Sequence, residues 1–491
     1  MIRVKIITPE KTGIIKTTAG LPLLDILRNN GMDIHAPCGG KGTCGKCTVK
    51  ITGEGDVLSC RYFPDRDIEV ILPGRVEANI LSRQTEFLED LPLSTGSGSH
   101  LTPSPIGAAI DIGTTTVVIY FLNLLTGQIE KISSFLNPQK AYGADVITRI
   151  CYCQEQENGL SVLHRSIIDA INHEFAAFVT QKGMKPENLE KVIITGNTTM
   201  LHIFLAEDPV PIALAPFTPR FTGKQTRSGY SAGIKINTDA TVVTLPVISA
   251  FVGADIVAGL SALKDKYKNY LFIDIGTNGE IALVTDDGVL ACATAAGPAF
   301  EGANIYSGMA AVCGAVSGFT DPENIEVIGN CKPVGICGSG IVDVVAYLLR
   351  IGLIDETGFL KEPFLIGSDM NIEVTQQDIR EIQLAKSAIY SGIKILMNKA
   401  GLSFGDIDAL FLAGGFGNYI NTKSATEIGL LPSELKNRIY PVGNSAGIGA
   451  LQFLKSNAFE KKINSTVENA QYIELSNVDE FPLEFALNMN F

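Results

Sequence analysis

The 491-residue chain lacks any uninterrupted apolar run of the ~18 residues that a membrane span needs. The best candidate, Ile106 to Leu125, is broken by Asp111, so no membrane association is expected. Positive charge is also short: 39 Lys+Arg stand against 52 Asp+Glu, a net charge of −13. That balance argues against a nucleic-acid binder. The N-terminal stretch MIRVKIITPE alternates like a strand and has no apolar signal core, so the expected location is the cytoplasm. Ten cysteines are too few for a disulfide scaffold at this length; in such a location they are expected to bind metal or to be buried. Apolar residues are plentiful, 46% of the chain against 19% charged. The length suggests roughly three to four domains.

Charge and cysteine are unevenly placed. Residues 1–75 carry 11 Lys+Arg and 8 Asp+Glu, leaving the remainder at −16. Within this segment Cys38, Cys44, Cys47 and Cys60 have the spacing C-x5-C-x2-C-x12-C. Four thiolates can converge on a short loop rich in glycine (Gly39, Gly40, Gly42, Gly45) but not on a regular helix or strand. Backbone N–H groups exposed by small residues can then approach the sulfurs and tune a cluster. Around the loop, Arg3–Ile7 and Ile14–Thr18 predict a hairpin, Leu23–Asn29 a helix, and Val49–Ile51 and Ile68–Leu72 further strands. A zinc site would be better served by two CxxC pairs, and only Cys44–Cys47 forms one. The segment resembles the 2Fe–2S ferredoxins of plant and vertebrate type, which implies a β-grasp fold with these four cysteines as ligands. Its first gap is one residue longer than the plant C-x4-C-x2-C and matches the vertebrate-type loop. His35 beside the loop is expected at the surface. Cys151, Cys153, Cys292, Cys313, Cys331 and Cys337 have no ligand spacing and are expected to be small buried hydrophobes.

Arg75–Asp90 could form one helix, followed by the Ser/Gly/Pro-rich stretch LSTGSGSHLTPSP. Residues 76–105 are therefore expected to be a linker, and a mobile tether suits a redox module that must alternate between donor and acceptor. Beyond it, apolar strands run into Gly/Thr turns at AIDIGTTTVVIYFL (109–122), VIITGNTTMLHIFL (192–205) and LFIDIGTNGEIALV (271–284). DIGTTT and DIGTNG repeat after 163 positions, which suggests two related α/β halves facing one another. Such turns offer backbone N–H groups and hydroxyls to phosphate oxygens, while the aspartate holds Mg²⁺ or its water. ALFLAGGFGNYI (409–420) adds a glycine-rich turn on which a planar base could lie, and GICGSG and VGNSAG precede small-residue helices at Ile336–Arg350 and Gly443–Leu454.

Residues 106–456 resemble the superfamily of acetate and sugar kinases, heat-shock chaperones and actin. The resemblance implies two RNase H-like lobes, 106–270 and 271–456, with ATP in the cleft between them and a C-terminal extension at 457–491 in which no motif is interpretable. Carried over residue by residue, Asp111, Gly113, Thr114, Thr115 and Thr116 would form the first phosphate loop. Asp274, Gly276, Thr277, Asn278 and Gly279 would form the second, and Gly414, Gly415 and Gly417 would lie under the adenosine. Asp255, 19 positions before Asp274, stands where sugar kinases carry a catalytic base; it would orient water here, or else cap the helix Ile256–Leu263.

A low-potential one-electron carrier fused to an ATPase suggests uphill electron transfer, since a 200 mV one-electron climb costs roughly 4.6 kcal/mol. The module order, with GNTTM, DIGTNGE, AAGPAFEGANI and GICGSG in sequence, resembles the reductive activators of corrinoid proteins. The resemblance implies ATP-dependent electron transfer from the cluster to a Co(II) corrinoid protein of a methyltransferase system, restoring Co(I). It also implies a separate electron donor, whose nature stays open, and a homodimer through the C-terminal region. Residues 75–105 leave no room for the extra domain some members carry there. Alternatives are an activator of a 2-hydroxyacyl-CoA dehydratase, which uses a 4Fe–4S cluster and lacks a ferredoxin module, a small-molecule kinase with a regulatory iron–sulfur domain, and an electron carrier with an inert ATPase half.

Overall fold

The computed structural model describes residues 2–8, 12–30, 32, 34, 40, 42, 47–72, 86–94, 101–367 and 370–491. Cys38, Cys44, His35, residues 75–85 of the expected helix and residues 95–100 of the linker lie outside them.

Strands β1 (Ile2–Ile7) and β2 (Thr12–Thr17) form the expected antiparallel hairpin. Helix α1 (Leu23–Arg28) follows, then β3 (Thr48–Ile51), β4 (Gly55–Leu58) and β5 (Ile68–Ile71). The sheet order is β2-β1-β5-β3-β4, with β1 and β5 parallel at its centre, a β-grasp arrangement. Alternation in IRVKII sends Ile2, Val4 and Ile6 inward, and Val4 and Ile6 share a core with Leu23, Leu24, Ile26 and Leu27 of α1. Strand β4 carries only one strongly apolar pair, Val57-Leu58, and has no strand pattern in the sequence.

The next half comprises β6 (Ile106–Ile112), β7 (Thr116–Asn123), β8 (Ile129–Leu136), α2 (Val146–Glu155), α3 (Gly159–Lys182), β9 (Leu189–Gly196), α4 (Thr198–Phe204), α5 (Val210–Ala213), β10 (Gln225–Ser228), β11 (Thr241–Thr244) and α6 (Ala254–Ala262). Its sheet runs β10-β11-β9-β6-β7-β8. The following half begins with β12 (Tyr270–Ile275), β13 (Gly279–Thr285) and β14 (Gly288–Thr294). A small sheet of β15 (Ala315–Asp321), β16 (Asn324–Val327) and β17 (Gly335–Ile336) precedes α7 (Gly338–Arg350), the ribbon β18 (Phe364–Leu365) and β19 (Glu373–Val374), and α8 (Gln376–Ala400). Then come β20 (Ala409–Ala413), α9 (Gly414–Tyr419), α10 (Thr422–Glu427), β21 (Ile439–Gly443), α11 (Ser445–Lys455), α12 (Asn457–Glu468), β22 (Ala470–Tyr472) and α13 (Phe481–Leu487).

The second large sheet runs β21-β20-β12-β13-β14-β22. In each half an antiparallel three-strand meander (β6-β7-β8, β12-β13-β14) pairs through its first strand with a parallel strand (β9, β20), and a further parallel strand follows (β11, β21). The duplicated topology is the one the repeated DIGT implies. Residues 457–491 add β22 to the edge of the second sheet and lay α13 along α8, where Ser387 Oγ donates to Phe485 O at 2.5 Å.

The halves meet where α6 crosses α11. A Cβ on Gly449 would lie 2.2 Å from Ala258 O, and one on Gly259 would lie 2.9 Å from Ser445 Oγ. Gly449 is pressed against backbone and excludes any side chain, whereas Gly259 makes room for the side chains of Phe272 and Ser445.

Two expectations fail. Residues 86–90 are not helical: Leu88 forms an isolated bridge with Leu263, and Glu89 N donates to Ala262 O at 2.7 Å. Cys313 and Cys331 are not buried free thiols; they form a disulfide across 18 positions, and Cys313 is exposed. The cause is topological, because the antiparallel pairing of Val316 with Val327 brings the flanking cysteines together. Cys292 and Cys337 are buried as expected, whereas Cys151 and Cys153 are only partly so. Among the described residues no helix is long and apolar enough to cross a membrane.

Candidate active site

Strands β6 and β12 both end at the cleft between the two halves, and each delivers an aspartate one residue before its last. Asp111 and Asp274 therefore sit at equivalent places on facing loops. The first loop is closed by Gly113 N donating to Thr116 O at 3.0 Å, and the second by Gly276 N donating to Asn278 O at 2.9 Å. A Cβ on Gly113 would lie 2.6 Å from Thr116 O, so the tight turn excludes any side chain there. Around a cavity of about 310 Å³ the structure gathers Asp111, Gly113, Thr114, Thr115, Thr116, Asp255, Asp274, Gly276, Thr277, Asn278, Gly414 and Gly415.

Two glycines behave otherwise. Gly279 opens β13 and faces away, where a Cβ would lie 2.7 Å from Thr294 Oγ1 and 2.9 Å from Ile389 Cγ1. Gly417 turns inward on α9 against Leu412, at 3.1 Å, and lines no part of the cleft. Neither is among the residues that line the cavity. Gly414 differs: its φ of +76° is in the left-handed region, and a Cβ would lie 2.3 Å from Asp274 Oδ1. The segment 414–419 is a short helix rather than an open turn.

Asp255 lies in the first turn of α6, whose N-cap is Gly253, so Asp255 is not the N-cap residue itself. Its Oδ1 accepts from Ile256 N at 2.9 Å while the carboxylate lines the cleft.

Residues not anticipated from sequence complete the site. Asn137 Nδ2 donates to Gly113 O at 2.8 Å, Arg149 Nη2 to Thr114 O at 2.5 Å and Asn197 Nδ2 to Thr114 Oγ1 at 3.0 Å. Thr277 Oγ1 donates to Glu301 Oε2 at 2.9 Å. Glu280, Glu301, Asn444 and Ser339, at the start of α7, also line the cleft. Of these, Glu280 and Glu301 stand in the quoted segments DIGTNGE and AAGPAFEGANI, while Asn137 and Arg149 reach the site only through the fold.

The cleft floor is crowded with carboxyl groups. Burial, then the charges of Asp255 and Asp274, push Asp111 up to about 8. Burial, then Asp255 and Glu301, push Asp274 up to about 7. Burial raises Asp255, and burial with the same neighbours raises Glu280. Like charges withdrawn from water are relieved by a cation, which fits a magnesium nucleotide. Among the described residues no three His, Cys, Asp or Glu side chains are grouped to ligate one ion, so such an ion would be held largely by phosphates and water.

Of the four cluster cysteines, Cys47 and Cys60 are described. Their sulfurs stand 3.2 Å apart without a bond, Cys47 buried and Cys60 partly so. Ser59 holds the pair in register, its N and Oγ donating to Cys47 O at 2.9 and 2.8 Å. Two sulfurs converging beside Gly40 are a donor set suited to iron.

Comparison with known proteins assigns families to the chain's successive parts. Residues 7–67 match the family described as 2Fe-2S iron-sulfur cluster binding domain, residues 106–266 the RACo middle region, and residues 268–491 the C-terminal domain of RACo, the ASKHA domain. The chain is 31% identical to the corrinoid activation enzyme RamQ of Eubacterium limosum over 95% of each chain. It is 26% identical to a Co(II) methylated amine-specific corrinoid protein reductase of Methanosarcina barkeri, over 69% of this chain and 68% of that one. A solved structure of a reductive activator for corrinoid, iron-sulfur protein superposes with a TM-score of 0.71 at 28% identity, covering 99% of this chain and 98% of the other. With a ferredoxin domain, a duplicated ATPase fold and end-to-end similarity to RamQ, the chain belongs to the RACo family of corrinoid activators.

Proposed function

We propose that this protein is an ATP-dependent reductive activator that passes an electron to a Co(II) corrinoid protein of a methyltransferase system and restores Co(I). The observation that carries this is the presence, in one chain, of a paired-cysteine loop and a cleft built from two facing phosphate turns. Cys38, Cys44, Cys47 and Cys60 would hold a 2Fe–2S cluster, which when bound supplies a one-electron carrier of low potential. Gly113–Thr116 and Gly276–Asn278 bind the phosphates through backbone N–H and hydroxyl groups, and Asp111 and Asp274 hold the water shell of Mg²⁺. Asp255 orients the attacking water, and Gly414 and Gly415 lie under the adenosine. Nucleotide binding offsets the uphill electron step by changing the geometry of the protein pair. The chain works in the cytoplasm as a homodimer through its C-terminal lobe and takes electrons from a separate low-potential donor.

The test is anaerobic and spectroscopic. Reduced protein is mixed with a Co(II) corrinoid methyl carrier, and the Co(I) absorbance is followed with and without Mg-ATP. ATP-dependent growth of the Co(I) band is the expected result. No Co(I) across several corrinoid carriers, with a reducible cluster and active ATPase, would overturn the assignment. ATP turnover that depends on an added small hydroxyl or carboxyl compound would favour a kinase instead.

A further inference from the structure

Arg28, the last residue of α1, lies where the cysteine loop meets the first ATPase half. On one side, a Cβ built on Gly40 would come 3.9 Å from Arg28 Nη1 and 4.0 Å from Cys60 Cβ, so the guanidinium borders the loop of the paired sulfurs. On the other, Arg28 Cζ stands 5.7 Å from the ring centroid of Tyr142, within range of a cation–π contact, and that ring packs against Tyr152 at 5.1 Å. Among the described residues, Nε and Nη2 of Arg28 are buried without hydrogen-bond partners. A guanidinium has five donors and cannot shed its charge, so idle buried donors call for an acceptor. Burial itself disfavours the cation here, and the neighbouring Asp25, tyrosines and Cys47 only partly offset it.

The aromatic pair beneath Arg28 belongs to the unit that supports the first phosphate loop. Tyr142 follows the 3-10 turn Pro138–Ala141, which is capped by Asn137, the residue bonded to Gly113 O. Tyr152 lies one turn after Arg149 on α2, and Arg149 is bonded to Thr114 O. A shift of that loop on binding nucleotide therefore moves the surface against which Arg28 rests.

We infer that Arg28 is a positioning residue that couples the nucleotide loop of the first ATPase half to the electrostatics of the iron–sulfur centre, its Nη1 bordering the cysteine loop and its guanidinium held by Tyr142. This rests on the reading of the four cysteines as cluster ligands. A positive charge beside the sulfurs favours the more negative, reduced state, so its position sets the midpoint potential.

The measurement is an EPR-monitored redox titration of the full-length holoprotein, with and without a non-hydrolysable ATP analogue and Mg²⁺. In Arg28→Met the reduced-to-oxidised ratio at a fixed potential falls about tenfold, a midpoint lowered by about 59 mV for a one-electron couple. The wild-type midpoint moves on adding the analogue, while Arg28→Met and Tyr142→Leu lose that movement at unchanged nucleotide affinity. Arg28→Lys, which keeps charge without the planar fork, restores part of the midpoint. A wild-type midpoint in Arg28→Met, or a nucleotide response that persists in it or is absent from wild type, overturns the inference. Absence of a 2Fe–2S spectrum from the wild-type protein overturns the ligand reading beneath it, an outcome distinct from the others.

Discussion

Asp111 and Asp274 illustrate what single residues disclose. The DIGT turns were legible because a phosphate loop is a local device, with strand, aspartate and glycine adjacent in sequence. Glycine alone was not: Gly414 and Gly417 stand in one motif, yet only the first faces the cleft, and which does so depends on how α9 packs on Leu412. The carboxyl groups predict a pH response whose sign is fixed. The ordinary value is 3.8, and the folded chain holds Asp111 at about 8 and Asp274 at about 7, so the folded state binds protons the unfolded state releases. That stabilisation is complete below about pH 4 and is lost as the pH rises to about 8. Ligand-free protein should melt at lower temperature at pH 8 than at pH 5.5, and Asp111→Asn should flatten the trend. Each kcal/mol of repulsion removed is worth about 2–4 °C in Tm for domains of this size. An identical slope in wild type and variant counts against the crowded floor. Asp255→Asn should lower the rate of ATP hydrolysis about a hundredfold with nucleotide affinity retained, as expected for a group that orients water. A purely structural Asp255 would instead leave turnover intact while shifting Tm. Asp274→Ala should remove hydrolysis without disturbing the cluster spectrum.

At the scale of elements, strands with strict alternation or unbroken apolar runs could be placed from sequence, as β1, β6 and β12 were. The short ones could not. Strands β15 and β16 form a hairpin whose pairing brings Cys313 beside Cys331, and nothing in the spacing of two cysteines 18 apart signals that. Strand β22 and α13 owe their places to β14 and α8, partners remote in sequence. Helices α7 and α11 were anticipated as small-residue helices, and the contact of α11 with α6 shows why small residues are needed there. Gly449→Val drives a side chain into the Ala258 carbonyl, and overpacking of this kind costs about 1–3 kcal/mol. Thermal denaturation should show that loss, and Gly401→Ala, at a position with nothing within 4 Å but φ of +66°, gives a control in which strain alone acts. Equal melting of Gly449→Val and wild type would mean that the helices do not press together in solution.

For the molecule as a whole, the order of modules was the readable feature, because each carries its own motif and the motifs succeed one another along the chain. Contacts between modules were not readable: Arg28 and Tyr142 are far apart in sequence, and neither belongs to a recognisable pattern. The separation of the two chemistries yields a further prediction. Cys60→Ser should abolish or strongly alter the iron–sulfur absorbance while Mg-ATP binding, measured by calorimetry, stays at the wild-type value; unchanged absorbance would refute the ligand. The glycine-lined crossing has one more consequence, a mechanical one. Where Gly449 meets the carbonyl of Ala258 with no side chain of its own between, sliding of one helix past the other would be blocked sooner than turning about that point. A turn there would make the two halves the arms of tongs, with the pivot at α6 and α11 and the jaws at the loops of Asp111 and Asp274. A small angle at the pivot becomes a large travel at the jaws, so the work of gripping a nucleotide is converted into displacement of everything those arms carry.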